Sequence, residues 1–271
     1  MIEAAISGEP AARAPVAVII CAAGLSARFS GAGTAGASRV ALKKEYLPLP
    51  GDSDGVTVLG AAVRAFLAVP EVATIVVVVP DDPKNGEAAA REAIPAKFLA
   101  GETGPPIHFV KGGKTRRTSV YNALAILLKK FPGRLDARGY VLIHDGARPW
   151  ISPVLIKRII GEVKKHNAVT PLVSLTETPK ETNLLLDDTF GSSPVYVKQH
   201  LRRACIGVSQ TPQAFAFPEI FAAHKQAAAR ENDTGVEFTD DAEIWGEFRG
   251  PVAVIPGDPG NRKITFPEDL A

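Results

Sequence analysis

The segment Ala22 to Arg28, AAGLSAR, follows an apolar run and combines small residues with a cation. A glycine-rich turn donates N–H groups to phosphate oxygens, and an arginine adds a bidentate cation. The segment lacks the G-x-G-x-x-G dinucleotide fingerprint, because Ser26 stands at the second glycine, and it lacks the G-x-x-x-x-G-K-[ST] phosphate loop. Taken alone, it predicts a phosphate-binding loop and a tight turn with a surface arginine about equally.

Lys43 and Lys44 follow a stretch rich in glycine, alanine and serine. A lysine at this place could reach a triphosphate as a mobile point charge. A Lys-Lys pair by itself is more typical of a solvated surface.

The segment Lys111 to Ser119, KGGKTRRTS, is predicted to open a helix. A glycine pair and hydroxyls before a helix N-terminus are typical of an anion or base-edge pocket. The alternative is a plain basic turn, but cations oppose the helix dipole at this end, which favours an anionic ligand. A nucleic acid partner is not expected, because no aromatic residues interleave with the cations and the net charge is only +2.

Asp145 and Arg148 lie in the segment HDGARP, directly after another apolar run. A single carboxylate can bind Mg²⁺ together with substrate phosphates. The alternative is an Asp145–Arg148 ion pair that closes the loop, and the two interpretations are compatible.

Three further polar segments carry weaker signals. The segment 209–215 indicates a turn that enters a helix, and Thr239-Asp240-Asp241 indicates a helix N-cap with acids that the dipole favours. Lys263 lies in a polar patch, NRKIT, that is unremarkable by itself.

The elements that must position these segments are predicted from hydrophobic periodicity. Apolar runs predict strands at Val16–Ala23, Ala73–Pro80, Ile107–Val110, Tyr140–His144, Ala168–Val173 and Val252–Pro256. Helical spacing predicts helices at Val58–Val69, Ser119–Lys130 and Pro153–His166, the last with Ser152 as N-cap. This alternation predicts an α/β fold with a mostly parallel sheet covered by helices on both faces. Ligands lie outside the carboxyl ends of such strands, so the segments above are expected to form a polyphosphate site with room for a metal ion.

The alternation breaks between residues 175 and 203. The runs Leu184–Asp187 and Val195–Lys198 predict a hairpin that leaves the main sheet as an arm. A two-stranded arm is marginally stable alone, so we expect it to pack on a second subunit as a dimerisation arm. Residues 1–15 are predicted to be a flexible tail before a domain that spans residues 16–271.

The composition of the 271 residues, 46% hydrophobic and 22% charged, is ordinary for a soluble domain. The longest apolar run, Val16–Ala23, is far shorter than the roughly 20 residues of a membrane helix, so no membrane partner is expected. Two cysteines without a CxxC pair and five scattered histidines predict neither a disulfide framework nor a structural transition-metal site, and they fit a reducing cytoplasm.

Together the segments resemble the 2-C-methyl-D-erythritol 4-phosphate cytidylyltransferase family. The match runs from about Val16 to Leu270 through seven segments in order: AAGLSAR, KKEYL, GGKTRRTSV, HDGARP, the arm with Arg203, QTPQAF with TDDA, and NRKITFPEDL. The resemblance implies one Rossmann-like nucleotidyltransferase domain with a protruding β-arm. It implies that CTP and methylerythritol phosphate give CDP-methylerythritol and pyrophosphate, with Mg²⁺, in non-mevalonate isoprenoid precursor biosynthesis.

The resemblance also implies roles for individual residues. Arg28 and Lys44 would hold the triphosphate and stabilise the transition state, and Lys263 would act near the α-phosphate. The cytosine would be framed by Gly113, Ser119 and the backbone of Ala22, Ala23 and Gly24. The ribose, the metal ion and the acceptor would be served by Asp145, Gly146 and Arg148. The methylerythritol phosphate would be held by Thr178, Arg203 and Thr239, with Arg203 acting in the neighbouring subunit of a homodimer.

Three departures from the family pattern leave alternatives open. Ser26 stands where the family commonly has a second glycine, and Lys43-Lys44 replaces Pro-Lys after a longer loop, so either lysine could be the cation. In the weakly matched arm Arg202 competes with Arg203. The alternative functions are a ribitol 5-phosphate cytidylyltransferase, a non-catalytic nucleotide-binding regulatory module, and a nucleic-acid binder that uses Lys111–Arg117.

Overall fold

The computed structural model describes residues 14–24, 26, 29, 43–52, 54–101, 104–131, 139–183, 195–235 and 237–270. Its strands are β1 Val16–Cys21, β2 Val72–Val79, β3 Ile107–Lys111, β4 Tyr140–Asp145, β5 Ala168–Ser174, β6 Lys180–Thr182, β7 Val197–His200, β8 Gly207–Ser209, β9 Gln213–Ala216 and β10 Ala253–Pro256. Its α-helices are α1 Val58–Leu67, α2 Glu87–Ala93, α3 Ala96–Leu99, α4 Arg116–Lys130, α5 Pro153–His166, α6 Phe217–Thr234 and α7 Asp241–Phe248. The predicted tail lies outside the described residues apart from positions 14 and 15.

The main sheet has the strand order β10-β5-β9-β4-β1-β2-β3, with β8 paired to β5. The strands β4, β1, β2 and β3 are parallel to one another, as are β10 and β5, whereas β9 and β8 run antiparallel to their neighbours. The predicted α/β class with a mostly parallel sheet is therefore confirmed.

Alternating side chains of β1 reach the two faces of the sheet, as the period of a strand requires. Val16, Val18 and Ile20 pack with the core that contains α1 and α5. Ala17 and Ile19 pack with the core that contains α4, α6 and α7. Helices thus cover both faces of β1, which explains why its sequence is apolar throughout.

The helix signals also hold in the structure. Ser152 caps α5, because its side chain accepts a hydrogen bond from the Leu155 N–H group. The helix α4 begins at Arg116, three residues before the predicted start at Ser119, and a Thr115–Thr118 capping box starts it. Asp240 caps α7 through the Glu243 N–H group, as the run Thr239-Asp240-Asp241 predicts.

The interpretation of residues 209–215 as a turn into a helix is wrong. Residues 213–216 form β9, which lies between β4 and β5. The buried Gln213 side chain interrupts the apolar pattern that would have indicated a strand. Its amide is satisfied inside the fold, since Nε2 donates to Asp240 Oδ2 at 2.7 Å and Oε1 accepts from the Ala242 N–H group at 3.0 Å.

The predicted arm contains a separate two-stranded sheet, in which β6 and β7 pair antiparallel. The predicted strand Val195–Lys198 overlaps β7, whereas Leu184–Asp187 lies outside the described residues. Whether the arm makes a dimer stays a prediction. Among the described helices, none combines the length and the apolar content that crossing a bilayer would require.

Candidate active site

Three loops lie side by side at the carboxyl edge of the sheet. The Ala22 N–H group donates to Val78 O at 2.9 Å, Gly112 donates to Val79 O at 2.8 Å, and Gly146 donates to Cys21 O at 2.9 Å. These bonds fasten the segments after β1, β3 and β4 to the ends of neighbouring strands. The sheet therefore brings together the segments that the sequence placed at this edge.

The glycine pair after β3 packs directly on the segment after β1. A Cβ atom on Gly112 would lie 2.5 Å from the Ala23 Cβ atom, which is closer than real Cβ contacts. Gly113 donates its N–H group to Ser119 Oγ at 3.0 Å, and that hydroxyl donates to Thr115 O at 2.9 Å. Among the residues that the structure describes, none has an atom within 4 Å of a Cβ atom placed on Gly24. The described backbone therefore leaves space for a ligand beside Gly24.

Asp145 is the electrostatic centre of the edge. Its Oδ2 atom lies 2.8 Å from Lys263 Nζ and 3.6 Å from Arg148 Nε. Burial would raise the pKa of the Asp145 carboxyl, but the positive charges of Lys263, Arg116 and Arg148 outweigh it and hold the pKa well below its usual range. The carboxylate therefore stays ionised, and the expected Asp145–Arg148 pair coexists with a second cation.

Thr211 positions Asp145 from β9's side of the sheet. Its hydroxyl accepts the Asp145 N–H group at 3.0 Å and lies 3.2 Å from His144 Nδ1. His144 Nε2 lies 3.1 Å from the Arg148 carbonyl, which can only accept, so Nε2 carries the proton and Nδ1 accepts from Thr211. Burial lowers the pKa of His144 to about 4, so the ring is neutral at pH 7. Sequence reasoning assigned no role to Thr211 or His144.

The segment after β10 delivers Lys263 to this centre. Ile264 donates its N–H group to Ala147 O at 2.9 Å, and Arg148 Nη1 donates to Asn261 O at 2.8 Å. Asn261 is fully buried, and its Nδ2 donates to Thr211 O at 2.8 Å. Hydrogen bonds to the backbone on both sides of Lys263 therefore fix its position. The polar run NRKIT does not by itself indicate these bonds.

Both lysines of the pair are buried. Lys44 Nζ donates to Ile264 O at 2.6 Å, which brings it next to the Lys263 segment. Lys43 Nζ donates to Gly24 O and lies 2.9 Å from Glu45 Oε2. The prediction that such a pair lies on a solvated surface is therefore wrong here. Arg28 lies outside the described residues.

The cations at the start of α4 are paired within the chain. Arg116 Nη2 lies 2.6 Å from Asp241 Oδ2 on α7, and Arg117 pairs with Glu231 on α6. The fully buried His224 Nε2 lies 3.1 Å from Asp241 Oδ1. These two arginines therefore do not need an external anion to balance their charge. Asp241 and Glu231 supply the negative charge, and only the fold brings these carboxylates to the start of α4.

The residues assigned to the acceptor are exposed, and two of them bond to other parts of the described chain. Thr178, Arg203 and Thr239 are all exposed. Arg203 Nη1 donates to Thr176 O at 2.7 Å, and Thr239 Oγ1 donates to Glu243 Oε2 at 2.7 Å. None of the hydrogen bonds or ion pairs between described residues joins these three to Asp145, Arg148 or Lys263. Arg202, the competing arginine, is exposed as well.

The residues around Asp145 fit a magnesium ion that takes most of its oxygen ligands from substrate phosphates and water. Within the described ranges, no group of three or more His, Cys, Asp or Glu side chains is arranged to hold a metal. Mg²⁺ commonly uses one or two carboxylates and takes its other oxygens from phosphates and water. The ionised Asp145 meets that requirement, and a metal cage made by the protein alone does not form from these residues.

Comparison with known proteins identifies a family. The model of the family described as "IspD: 2-C-methyl-D-erythritol 4-phosphate cytidylyltransferase" matches residues 16–271. A bifunctional enzyme IspD/IspF of Bradyrhizobium sp. (strain ORS 278) is 39% identical over 80% of this chain and 48% of the relative. One of Nitrobacter winogradskyi is 36% identical over 94% of this chain and 54% of the relative. The chain thus spans about half the length of the curated relatives it matches.

Solved structures agree with the fold. A 4-diphosphocytidyl-2C-methyl-D-erythritol synthase from Anaerococcus prevotii superposes with a TM-score of 0.68 at 26% identity, and the match covers 94% of this chain and 92% of that chain. A 2-C-methyl-D-erythritol 4-phosphate cytidylyltransferase from Thermus thermophilus has a TM-score of 0.60 at 26% identity, with coverage of 94% and 95%.

Proposed function

Since the chain belongs to the 2-C-methyl-D-erythritol 4-phosphate cytidylyltransferase family, we propose that it transfers the cytidylyl group of CTP to 2-C-methyl-D-erythritol 4-phosphate in isoprenoid precursor biosynthesis. The products are CDP-methylerythritol and pyrophosphate. The observation that carries this proposal is the ionised Asp145 between Lys263 and Arg148, at the same sheet edge as the Gly112–Gly113 turn.

The proposed reaction needs little covalent chemistry from the protein. A phosphate oxygen of the acceptor attacks the α-phosphorus of CTP, and the bond to the β-phosphate oxygen breaks with its electron pair on pyrophosphate. A phosphate monoester is largely dianionic at pH 7, so the nucleophile needs no general base. The protein must instead align two polyanions and neutralise the charge that develops on the leaving group.

Two lysines suit that task. Lys44 is buried and donates to the carbonyl oxygen of Ile264, the residue next to Lys263, and Lys263 is partly exposed beside Asp145. We assign both lysines to the phosphates of CTP, with Arg28 as a third cation. The Gly113–Ser119 turn and the backbone from Ala22 to Gly24 would then frame the cytosine.

Asp145 would bind Mg²⁺ together with substrate phosphate oxygens, and the bound ion would supply positive charge to the triphosphate. Gly146 and Arg148 would contact the ribose and the acceptor. The hydrogen bonds of Thr211 to the Asp145 backbone N–H group and to His144 hold the loop that carries the carboxylate.

A homodimer would complete the acceptor half of the site. The arm carries exposed apolar side chains, Tyr196 at 64% and Val197 at 49% exposure, which is consistent with a subunit contact. Thr178, Arg203 and Thr239 are exposed in the single chain, so Arg203 would act in the partner's site. The cytoplasm is the proposed location.

Mixing two inactive variants tests this arrangement. If Arg203 acts in the partner's site, mixing Arg203→Ala with Lys44→Ala after subunit exchange restores activity, because one site of the heterodimer is intact. Activity that stays absent in a mixture shown to contain heterodimers would contradict the shared site.

A pyrophosphate-release assay tests the function itself. CTP is supplied with Mg²⁺ and either methylerythritol phosphate or ribitol 5-phosphate, and turnover is expected with the first acceptor. Turnover only with ribitol 5-phosphate would assign the alternative acceptor, and CTP binding without turnover would assign a regulatory module. Lys44→Ala should lower kcat more than tenfold, a change above about 1.4 kcal/mol in the barrier, whereas the exposed Lys157→Ala should not.

A further inference from the structure

Lys43, Glu45 and Ser26 form a polar bridge between the segment after β1 and the turn that carries Lys44. Lys43 Nζ lies 2.9 Å from Glu45 Oε2 and donates to Gly24 O. The Ser26 hydroxyl donates to the same Glu45 oxygen at 3.3 Å. The Lys43 and Glu45 side chains are each only 5% exposed. We call these three residues the loop bridge.

The turn Lys44–Tyr46 is a single 3₁₀ turn, in which successive side chains point about 120° apart. Its three side chains therefore reach three different parts of the fold. Lys44 donates to Ile264 O, Glu45 accepts from the Ser26 hydroxyl, and Tyr46 donates its hydroxyl to Asn85 O at 2.8 Å. The direction of Lys44 consequently depends on how the adjacent Glu45 is held.

Ser26 has a φ of 53°, in the left-handed region that a residue with a Cβ atom seldom adopts. Glycine would adopt this conformation without strain, but it would leave Glu45 without the hydroxyl group. The hydrogen bond to Glu45 is thus a reason for a serine at a strained position. It joins Ser26, which follows β1, directly to the Lys44 turn.

Lys43 is already engaged within the loop bridge. Lys43 has a buried carboxylate as its partner, and removing one member of such a pair leaves an uncompensated charge. We propose that the loop bridge positions CTP: Lys43 holds Gly24 and Glu45 holds Ser26 against the Lys44 turn, so that Lys44 meets the triphosphate while Lys43 stays paired with Glu45. This inference rests on the proposed function, and it makes Lys43, Glu45 and Ser26 positioning residues.

The test is Glu45→Gln, which keeps the shape of the side chain and removes its charge. The KM for CTP is expected to rise at least tenfold, while the KM for methylerythritol phosphate stays within twofold. The split is expected because the loop bridge touches Gly24 and the Lys44 turn, both assigned to CTP. Lys43→Met should give the same split, and the double variant should be no worse than either single one, since the residues act as a unit.

Glu231→Gln is the matched control, because the Arg117–Glu231 pair is also buried, with side chains 10% and 14% exposed. It is expected to lower Tm and leave both KM values within twofold. If Glu45→Gln lowers Tm but also leaves the KM for CTP within twofold, the loop bridge is structural only and the proposal is overturned.

If Glu45→Gln does not fold, Ser26→Ala provides a second test, since the alanine variant loses one hydroxyl group and no buried charge. A several-fold rise in the KM for CTP supports the proposal, and an unchanged KM for CTP overturns it.

Calorimetric titration with CTP alone separates this proposal from the proposed function. Wild-type protein that binds CTP but turns over neither acceptor would overturn the function, and a weaker Kd in Glu45→Gln would still support the loop bridge. An unchanged Kd in that variant would overturn the loop bridge alone. Wild-type protein that does not bind CTP would overturn both.

Discussion

Lys263 Nζ lies 2.8 Å from Asp145 Oδ2, which joins the segment after β10 to the loop after β4. The lysine is 39% exposed and the carboxylate only 14% exposed, so the pair has one buried member and one that solvent reaches. Lys263 can therefore neutralise Asp145 and still meet a ligand that arrives at the sheet edge.

Replacing Lys263 by methionine is expected to lower kcat about 100-fold, which corresponds to roughly 2.7 kcal/mol in the barrier. The reason is the loss of a cation placed where charge develops on the phosphates. Pyrophosphate release at saturating CTP measures the effect. Lys157→Met, on the exposed side of α5, serves as control, and a Lys263→Met rate within tenfold of wild type would remove Lys263 from the catalytic residues.

Two glycines at the same edge are expected to respond oppositely to alanine. Gly112→Ala should lower Tm, because its Cβ would lie 2.5 Å from that of Ala23, and overpacking costs about 1–3 kcal/mol. Gly24→Ala should leave Tm unchanged but raise the KM for CTP, since its Cβ would enter space that no described residue fills and that is assigned to the nucleotide. Thermal melts and steady-state kinetics of both variants check this, and an unchanged KM in Gly24→Ala would argue against CTP over Gly24.

The buried His144 is expected to make stability fall in mild acid. Burial lowers the folded-state pKa to about 4, while the nearby Asp145 raises it and Arg148 lowers it. The unfolded chain therefore binds the extra proton first, and the free energy of unfolding falls as pH drops from about 6.5 to about 4, by up to roughly 3 kcal/mol.

Urea unfolding of wild type and His144→Gln between pH 4 and 8 measures this dependence. The difference between the two proteins should be constant above pH 7 and narrow in the acid range. Parallel curves over the whole range would show that His144 does not cause the loss.

Arg116→Met is expected to destabilise the fold by about 3–5 kcal/mol, because it leaves the fully buried Asp241 without its guanidinium partner. Adding Asp241→Asn should recover part of that loss, since the orphaned charge is then gone. Urea unfolding at pH 7 measures both variants. A loss below about 1 kcal/mol in Arg116→Met would mean that His224 alone compensates Asp241.

Much of the fold can be predicted from periodicity, because the parallel strands and their helices are long and regular. The predicted helix Pro153–His166 and its Ser152 cap are found at those residues. The strand β9 could not be predicted, since Gln213 breaks its apolar pattern and its amide partners come from α7 and its cap. The partners of Arg116 and Arg117 could not be predicted for the same reason, because their carboxylates lie on α7 and α6.

The sequence by itself determined the α/β class and the segments that meet at the carboxyl edge of the sheet, because both follow from local patterns along the chain. It also pointed to the family through motifs in order. Only the tertiary structure decided that Thr211 holds Asp145, that Lys263 neutralises it, and that Lys43 pairs with Glu45. Lys263 and Thr211 come from segments far from Asp145 in sequence, and Lys43 and Glu45 are buried only by the packing of distant segments, so no local pattern of residues could reveal these contacts.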